Sequence, residues 1–297
     1  MPDTNFSGVV TSQGVPIFSA NPNVYGRHWF VDGNRGLDGN RGRDRGNPLK
    51  TMGAALDRVG SGDEIHVRGN ITENLTAPAG IFDVTITGAG NRPRHADAHT
   101  GNNGYFAATW KASVQTDPLL ILRQQGWTIR NILFDCPTSD AALQFIRDAA
   151  SGDSERDSSH TTIQGCRFAS GATGILISGT ENIFNVEIAG CIFNDLTDAI
   201  DSPGAYAYRW DIHDNMFMAN TNHIDCGFTQ AVIRRNVFGK FTTMSIDLTG
   251  GANNMVVDND LSGTYDNGGG YIAGTDDEWF GNRNSLTGGI TADDPAA

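Results

Sequence analysis

Three aspartates carry the clearest chemical potential in the chain. Asp201, Asp225 and Asp247 each directly follow an isoleucine, in the runs DAIDS (198–202), NHIDC (222–226) and MSIDL (244–248). These runs alternate apolar with polar, the period of a half-buried strand, so a buried Ile200, Ile224 and Ile246 would leave the three carboxylates pointing outward. If the runs stack, the carboxylates stand one above another and either raise each other's pKa or share a cation. The first outcome makes a general acid, with Asp198 and Asp225 flanking Asp201, and the second a calcium site with Asp201, Asp225 and Asp247 as oxygen ligands. The plain alternative is a solvated acidic face. Two other groups have metal-capable composition. His95, Asp97 and His99 alternate in HADAH, where two imidazoles and a carboxylate would suit a transition metal, although such loops are usually just polar. Asp32, Asn34, Asp38 and Asn40 are spaced like calcium ligands but lack the glycine and terminal glutamate of an EF-hand, which favours a glycine-rich turn.

Stacking requires a repeat, and the sequence has one. WTIRNILF (127–134), TTIQGCRF (161–168), NVEIAGCIF (185–193), WDIHDNMF (210–217) and AVIRRNVF (231–238) each place an Ile five residues before a Phe, and MVVDNDL (255–261) keeps the frame with Val256 and Leu261. Successive repeat positions, Ile129, Ile163, Ile188, Ile212, Ile233 and Val256, lie 34, 25, 24, 21 and 23 residues apart, the first interval being lengthened by a loop. A unit this short cannot close a core alone and must bury its apolar side chains against the units above and below. Phe168, Phe193 and Phe217 precede Ile175, Ile200 and Ile224 by seven residues, which predicts two strands and a turn per coil. Three residues after each repeat position comes a second column, Ile132, Cys166, Cys191, Asn215, Asn236 and Asn259. Stacked asparagine amides can hydrogen-bond up a parallel stack, and asparagine tolerates the left-handed backbone of a sharp turn. The cysteines in this column are expected to be buried core residues, not a disulfide.

Composition agrees with a folded, turn-rich chain: of 297 residues 37 are Gly, 38% are hydrophobic and 19% are charged. A formal net charge of -13 argues against a nucleic-acid partner, which needs a basic stripe to displace counterions. Arg41, Arg43 and Arg45 are interleaved with Asp38 and Asp44, as in a charge-balanced loop. MPDTNFSGVV lacks a basic n-region and an apolar h-region, and no apolar run approaches the ~18 residues that span a bilayer, so neither export nor a membrane is expected. Cys136, Cys166, Cys191 and Cys226 are irregularly spaced and make no zinc pattern.

The repeat, with the G/A-I strand that follows it, resembles the parallel β-helix unit of the pectate-lyase-like superfamily over roughly residues 60–275. The segment PLKTMGAALDRVGSGDEIHV (48–67) is similar to that superfamily's opening, with Leu49, Met52, Leu56 and Val59 on one helical face, Asn47 as N-cap and Pro48 at the first helical position. The resemblance implies an all-β, right-handed parallel β-helix at 28–275 with a short capping helix near 48–59. An extended N-terminal arm at 1–27 would precede it and a C-terminal cap or tail at 276–297 would follow, with Trp279 and Phe280 closing the far end. A protruding loop is expected at 89–108.

Within the superfamily, Asn194-Asp195-Leu196-Thr197-Asp198-Ala199-Ile200-Asp201 resembles the N-T-D-G-I-D motif of polygalacturonase-like glycosidases. That family also needs paired aspartates in the next coil, a G-H-G and an R-I-K. Here the next coil has Asn222-His223-Ile224-Asp225, the following one has Thr243-Met244-Ser245, and no R-I-K occurs. A two-carboxylate mechanism needs more than this. A calcium-dependent lyase would need a basic residue near the acidic ligands, and Arg209, Arg234 and Arg235 are the candidates. Tyr206, Tyr208 and Trp210 lie near Asp201 as potential sugar platforms.

The leading stretch GVPIFSANPNVYGRHWFVDGNRGLDGNRG (14–42) resembles virion proteins of tailed bacteriophages over about the first 70 residues. This resemblance implies a non-catalytic structural protein that decorates or cements a capsid, or forms a short spike. It would be located in the virion, assembled as a homotrimer and bound to other virion proteins such as the major capsid protein, with a glycan as a further ligand and no cofactor. The competing class is a polysaccharide-degrading depolymerase, lyase or glycosidase, with Asp198, Asp201 and Asp225 as its catalytic residues.

Overall fold

The computed structural model describes residues 26–89, 107–146, 157–178, 182–263 and 270–284, with short strand pieces at 11–12, 15–16 and 290–291. Most of the expected arm, nearly all of the expected 89–108 loop and much of the tail lie outside the described residues. The chain is a right-handed parallel β-helix, as expected for parallel strands joined by successive crossovers. Its first ladder runs in strict register through Trp29, Ile65, Ile86, Ile129, Ile163, Ile188, Ile212, Ile233, Val256 and Trp279. A second ladder passes through Ile71, Trp110, Phe134, Phe168, Phe193, Phe217 and Phe238. A third passes through Leu75, Leu120, Leu143, Ile175, Ile200, Ile224, Ile246 and Tyr271. Each coil therefore has three strand segments, where the spacing predicts two.

The reason is a corner every five residues. Left-handed backbone recurs at Asn185, Gly190 and Asp195, at Arg209, Asp214 and Ala219, and at Asn253, Asp258 and Gly263. Two such residues bound each Ile strand, so the five-residue spacing of Ile and Phe is the length of one side plus one corner. The middle corner is occupied by Gly165 and Gly190 in two coils and by Asp214, Arg235 and Asp258 in the next three. An L-residue there costs roughly 1–2 kcal/mol, which the flanking ladders offset. The asparagine column sits one position later than this strained residue, so its amide is free to point inward, contrary to the expectation that Asn itself takes the left-handed conformation.

Inside, the phenyl rings of Phe134, Phe168, Phe193, Phe217 and Phe238 stack with centroids 4.7–5.0 Å apart and planes within 12° of parallel. Full burial of each such ring contributes on the order of 1.5–3 kcal/mol. The asparagine column is a continuous buried ladder. The Asn236 Nδ2 group donates to the carbonyl of Ile212 (2.8 Å) and to Asn259 Oδ1 (3.1 Å), while Asn236 Oδ1 accepts from the Asn215 amide (2.9 Å). Asn259 repeats the pattern onto Asn282 (3.0 Å), which carries the stack past the expected boundary at 275 to Asn284. Cys166 and Cys191 in the same column are buried and free, each thiol donating to the isoleucine carbonyl of the preceding coil.

The capping helix is shorter than expected, Met52–Leu56, with Thr51 as N-cap accepting from the Ala54 amide (3.1 Å). Asn47 and Pro48 do not start it because the chain there is still paired with the first strand. The Leu49 amide donates to Phe30 (2.8 Å) and the Asp32 amide to Leu49 (2.8 Å). Leu49, Met52, Leu56 and Val59 are all buried against the open end of the stack. At the far end Trp279 continues the first ladder and is buried, whereas Phe280 is 43% exposed.

Candidate functional site

Among the described residues, Glu187, Asp211, His213 and Asp214 are joined to one another and to Arg234 and Arg235, whereas two other outer-surface clusters of ionisable groups lack a closing set of ion pairs. The first is the aspartate column, on the outward side of the third ladder. Asp201 pairs in register with Asp225, and Asp225 with Asp247, while Asp198, three residues earlier, pairs with Asn222. At the ~4.8 Å spacing of adjacent strands these carboxylates feel one another strongly. Burial, followed by the charges of Asp198 and Asp225, pushes Asp201 up to about 6. Asp225 is raised by burial and then by Asp247 and Asp198. The Asn222 Nδ2 group donates to Asp198 Oδ1 (2.7 Å), so one rung beyond Asp198 there is an amide in place of a second acid. His223 is no surface group: it is fully buried, contacts the Gly239 carbonyl (3.1 Å) and Asn220, and burial depresses it to about 4.

The second cluster, His28, Glu64 and His66, has no counterpart among the sequence candidates. His28 is the register partner of Glu64 on the first ladder, and His66 follows two residues later on the same outward side. Among the described residues these are the His, Cys, Asp or Glu side chains whose donor atoms converge to within 4.8 Å of one another, three at a time. His28 Nδ1 lies 3.0 Å from His66 Nε2, and Glu64 Oε2 lies 3.5 Å and 3.7 Å from these two atoms. The other carboxylate oxygen accepts from the Thr87 hydroxyl (2.9 Å) and from Arg130 Nη2 (3.2 Å), and Arg130 also donates to Thr87 (2.9 Å). Burial alone would raise Glu64, but Thr87, His66 and Arg130 outweigh it and hold the carboxyl below its usual range. A cavity next to the cluster is lined by Phe30, Arg45, Pro48, His66, Arg68 and Thr87. The cluster was illegible because 36 residues separate its two strands, outside the regular repeat, so no spacing aligned His28 with Glu64.

The remaining candidates are placed elsewhere. His95, Asp97 and His99 lie outside the described residues. Asp32, Asn34, Asp38 and Asn40 bind the loop itself: Asp32 accepts from the Asn34 and Arg35 amides and from Arg68, Asp38 from the Lys50 and Thr51 amides, and Asn40 donates to Pro48. Arg234 forms a bidentate pair with Asp211 (3.0 and 2.7 Å) and Arg235 with Asp214 (3.0 and 2.8 Å), both on the first ladder's side, while Arg209 donates to Gln230. These contacts commit the three arginines away from the aspartate column. Trp210 is buried with its indole N–H on the Ile183 carbonyl (3.0 Å), so it cannot serve as a sugar platform, and Tyr208 is half-buried against Phe184.

The three ladders and the capping helix together define a parallel β-helix protein. Solved structures agree on the fold. A pectin methylesterase from Aspergillus niger is similar at a TM-score of 0.54 and 12% identity over 92% of each chain. A pectate lyase from Bacillus sp. N165, solved with trigalacturonate, is similar at 0.52 and 13% identity over 87% of this chain and 81% of that one. At such identities the likeness concerns architecture alone. No curated protein matches the chain significantly. The family model described as "Periplasmic copper-binding protein (NosD)" matches residues 98–289, and the chain belongs to that family.

The family's description raises the question of a copper donor set. Cys136, Cys191 and Cys226 in the matched stretch are buried, and burial pushes their thiols up, away from the thiolate a metal needs. The imidazoles and carboxylate that do fit a transition ion, His28, Glu64 and His66, precede that stretch.

Proposed function

We propose that the protein is a non-catalytic structural component of a tailed-bacteriophage particle, a rigid β-helical module that decorates or cements the capsid or forms a short spike. Residues 1–27 attach it to the major capsid protein, and three copies associate. The observation that carries the non-catalytic reading is the hydrogen bond from Asn222 to Asp198 (2.7 Å). It puts a neutral amide where the glycosidase-like pattern has one of the paired acids of its second coil, so that pattern's carboxylate set is incomplete. The buried asparagine ladder and phenyl stack support a scaffold that holds its shape when displayed. The resemblance of the first 70 or so residues to phage virion proteins supports the location. Quantitative mass spectrometry of purified particles is the test: the reading expects a copy number matching the capsid lattice, and absence of the protein from particles overturns it. Removing residues 1–27 should leave a folded protein that no longer docks.

A second reading, a β-helix polysaccharide depolymerase, is favoured by Asp201, whose carboxyl at about 6 and neighbours Asp198 and Asp225 suit a general acid. Incubation with host capsular polysaccharide and with pectate, with and without calcium, followed by an assay for new reducing or unsaturated ends, separates the two. Cleavage that disappears in Asp201→Ala would replace the structural reading.

A further inference from the structure

We propose that His28, Glu64 and His66 form a binding site for a divalent first-row transition ion, of the zinc, copper or nickel type, that clips the first coil of the β-helix to the second. Bonds of ~2.0–2.1 Å to a tetrahedral ion hold donor atoms about 3.3 Å apart. The three observed separations, 3.0, 3.5 and 3.7 Å, bracket that value; the His28 and His66 nitrogens face each other head-on, with ring centroids 5.3 Å apart, so the exposed His28 ring turns to present its lone pair to the ion. Two imidazole nitrogens with one carboxylate oxygen select against calcium and magnesium, which take oxygen donors, and for ions that accept imidazole.

The surroundings are those of a built site. Metal-bound carboxylates are themselves hydrogen-bonded, and here Thr87 and Arg130 hold Glu64 Oε1, leaving Oε2 turned to the imidazoles. The His66 ring is stacked on Phe30 (centroids 5.0 Å, 14°), which fixes its plane. His28 comes from the first strand of the ladder and Glu64 and His66 from the next, so the bound ion would bridge its first two rungs. His28 is the most exposed donor, at 56%, so the ion has a path from solvent and a remaining position for water or a partner's donor. The three donor residues precede the stretch matched by the NosD family model, while Arg130, which holds Glu64, lies within it.

The test is titration of the untagged full chain with Zn(II) and with Cu(II) by calorimetry, together with thermal unfolding. One equivalent should bind with an affinity of about micromolar or tighter, and excess Zn(II) should raise the unfolding midpoint. His28→Ala, at the exposed position, and Glu64→Gln should each weaken binding about 10- to 100-fold, with unchanged circular dichroism. Electron paramagnetic resonance of the Cu(II) form should show coupling to two imidazole nitrogens. His213→Ala removes an imidazole that contacts Glu187 and Asp214, and should leave the affinity unchanged. Unaltered zinc affinity in a His28→Ala/His66→Ala double variant would overturn the proposal. So would failure of the parent chain to bind zinc at about 100 µM, which would leave a hydrogen-bonded imidazole pair only.

Discussion

Asp201 shows how a single side chain can register its neighbours. Its carboxyl, ordinarily near 3.8, is held at about 6 by burial and by Asp198 and Asp225. The folded state thus holds the proton more tightly than the unfolded chain. This contribution is fully present below about 3.8 and is lost as pH rises through about 6. Asp201→Asn, which imitates the protonated group, should therefore stabilise the protein at pH 7.5 by about 1 kcal/mol, the shift being discounted for solvent screening. The gain should fade as the pH falls from 6 to 4, as read from urea midpoints across that range. The outward column of Asp201, Asp225 and Asp247 was legible in sequence because each follows a ladder isoleucine. Asp198's amide partner was legible for the same reason, being one rung along. Trp210 was not: the alternation that would have turned it inward is interrupted by the left-handed Arg209, and nothing in the residue types marks that corner.

Strands and corners obey a different logic, because a buried column has to satisfy its own polar groups rung by rung. Asn236 accepts from the Asn215 amide above and donates to Ile212 and Asn259, so truncation leaves buried groups unpaired on both sides. Asn236→Ala should cost about 3 kcal/mol, since each orphaned buried group costs roughly 1–3. Asn236→Cys should cost less, because the thiols of Cys166 and Cys191 in the same column still reach the isoleucine carbonyl of the preceding coil. An unfolding series that ranked Cys at or below Ala would contradict this account of the ladder. The column was visible as a recurring Asn, but its backbone conformation was assigned one residue late. Composition cannot decide between the two, since Asn suits both a left-handed corner and a ladder. The capping helix shows the same ambiguity: Leu49 keeps the helical spacing of Met52 and Leu56, yet its backbone is claimed by Phe30 and Asp32.

For the molecule as a whole, the period of the repeat was enough to establish the solenoid, since units of 21–25 residues have no other way to bury Ile and Phe. What lay beyond that signal was how the first coil meets the second, where the spacing is irregular and where His28, Glu64 and His66 converge. The same one-directional ladder has a mechanical meaning. Every inter-coil hydrogen bond lies along the long axis, so tension applied through the chain's two ends loads the bonds of the outermost coil first and peels coils off one at a time. Each step frees its own coil's contour, about 70–85 Å for the coils of 21–25 residues and about 120–145 Å for the longer coils near the N-terminus, at ~3.4 Å per residue. Optical-trap extension should give a saw-tooth whose steps follow the coil lengths, and the step of about 120 Å from the first coil should need a higher force when zinc occupies it. A load applied across the axis meets all the coils side by side, so the ladder resists it far better than tension along the axis.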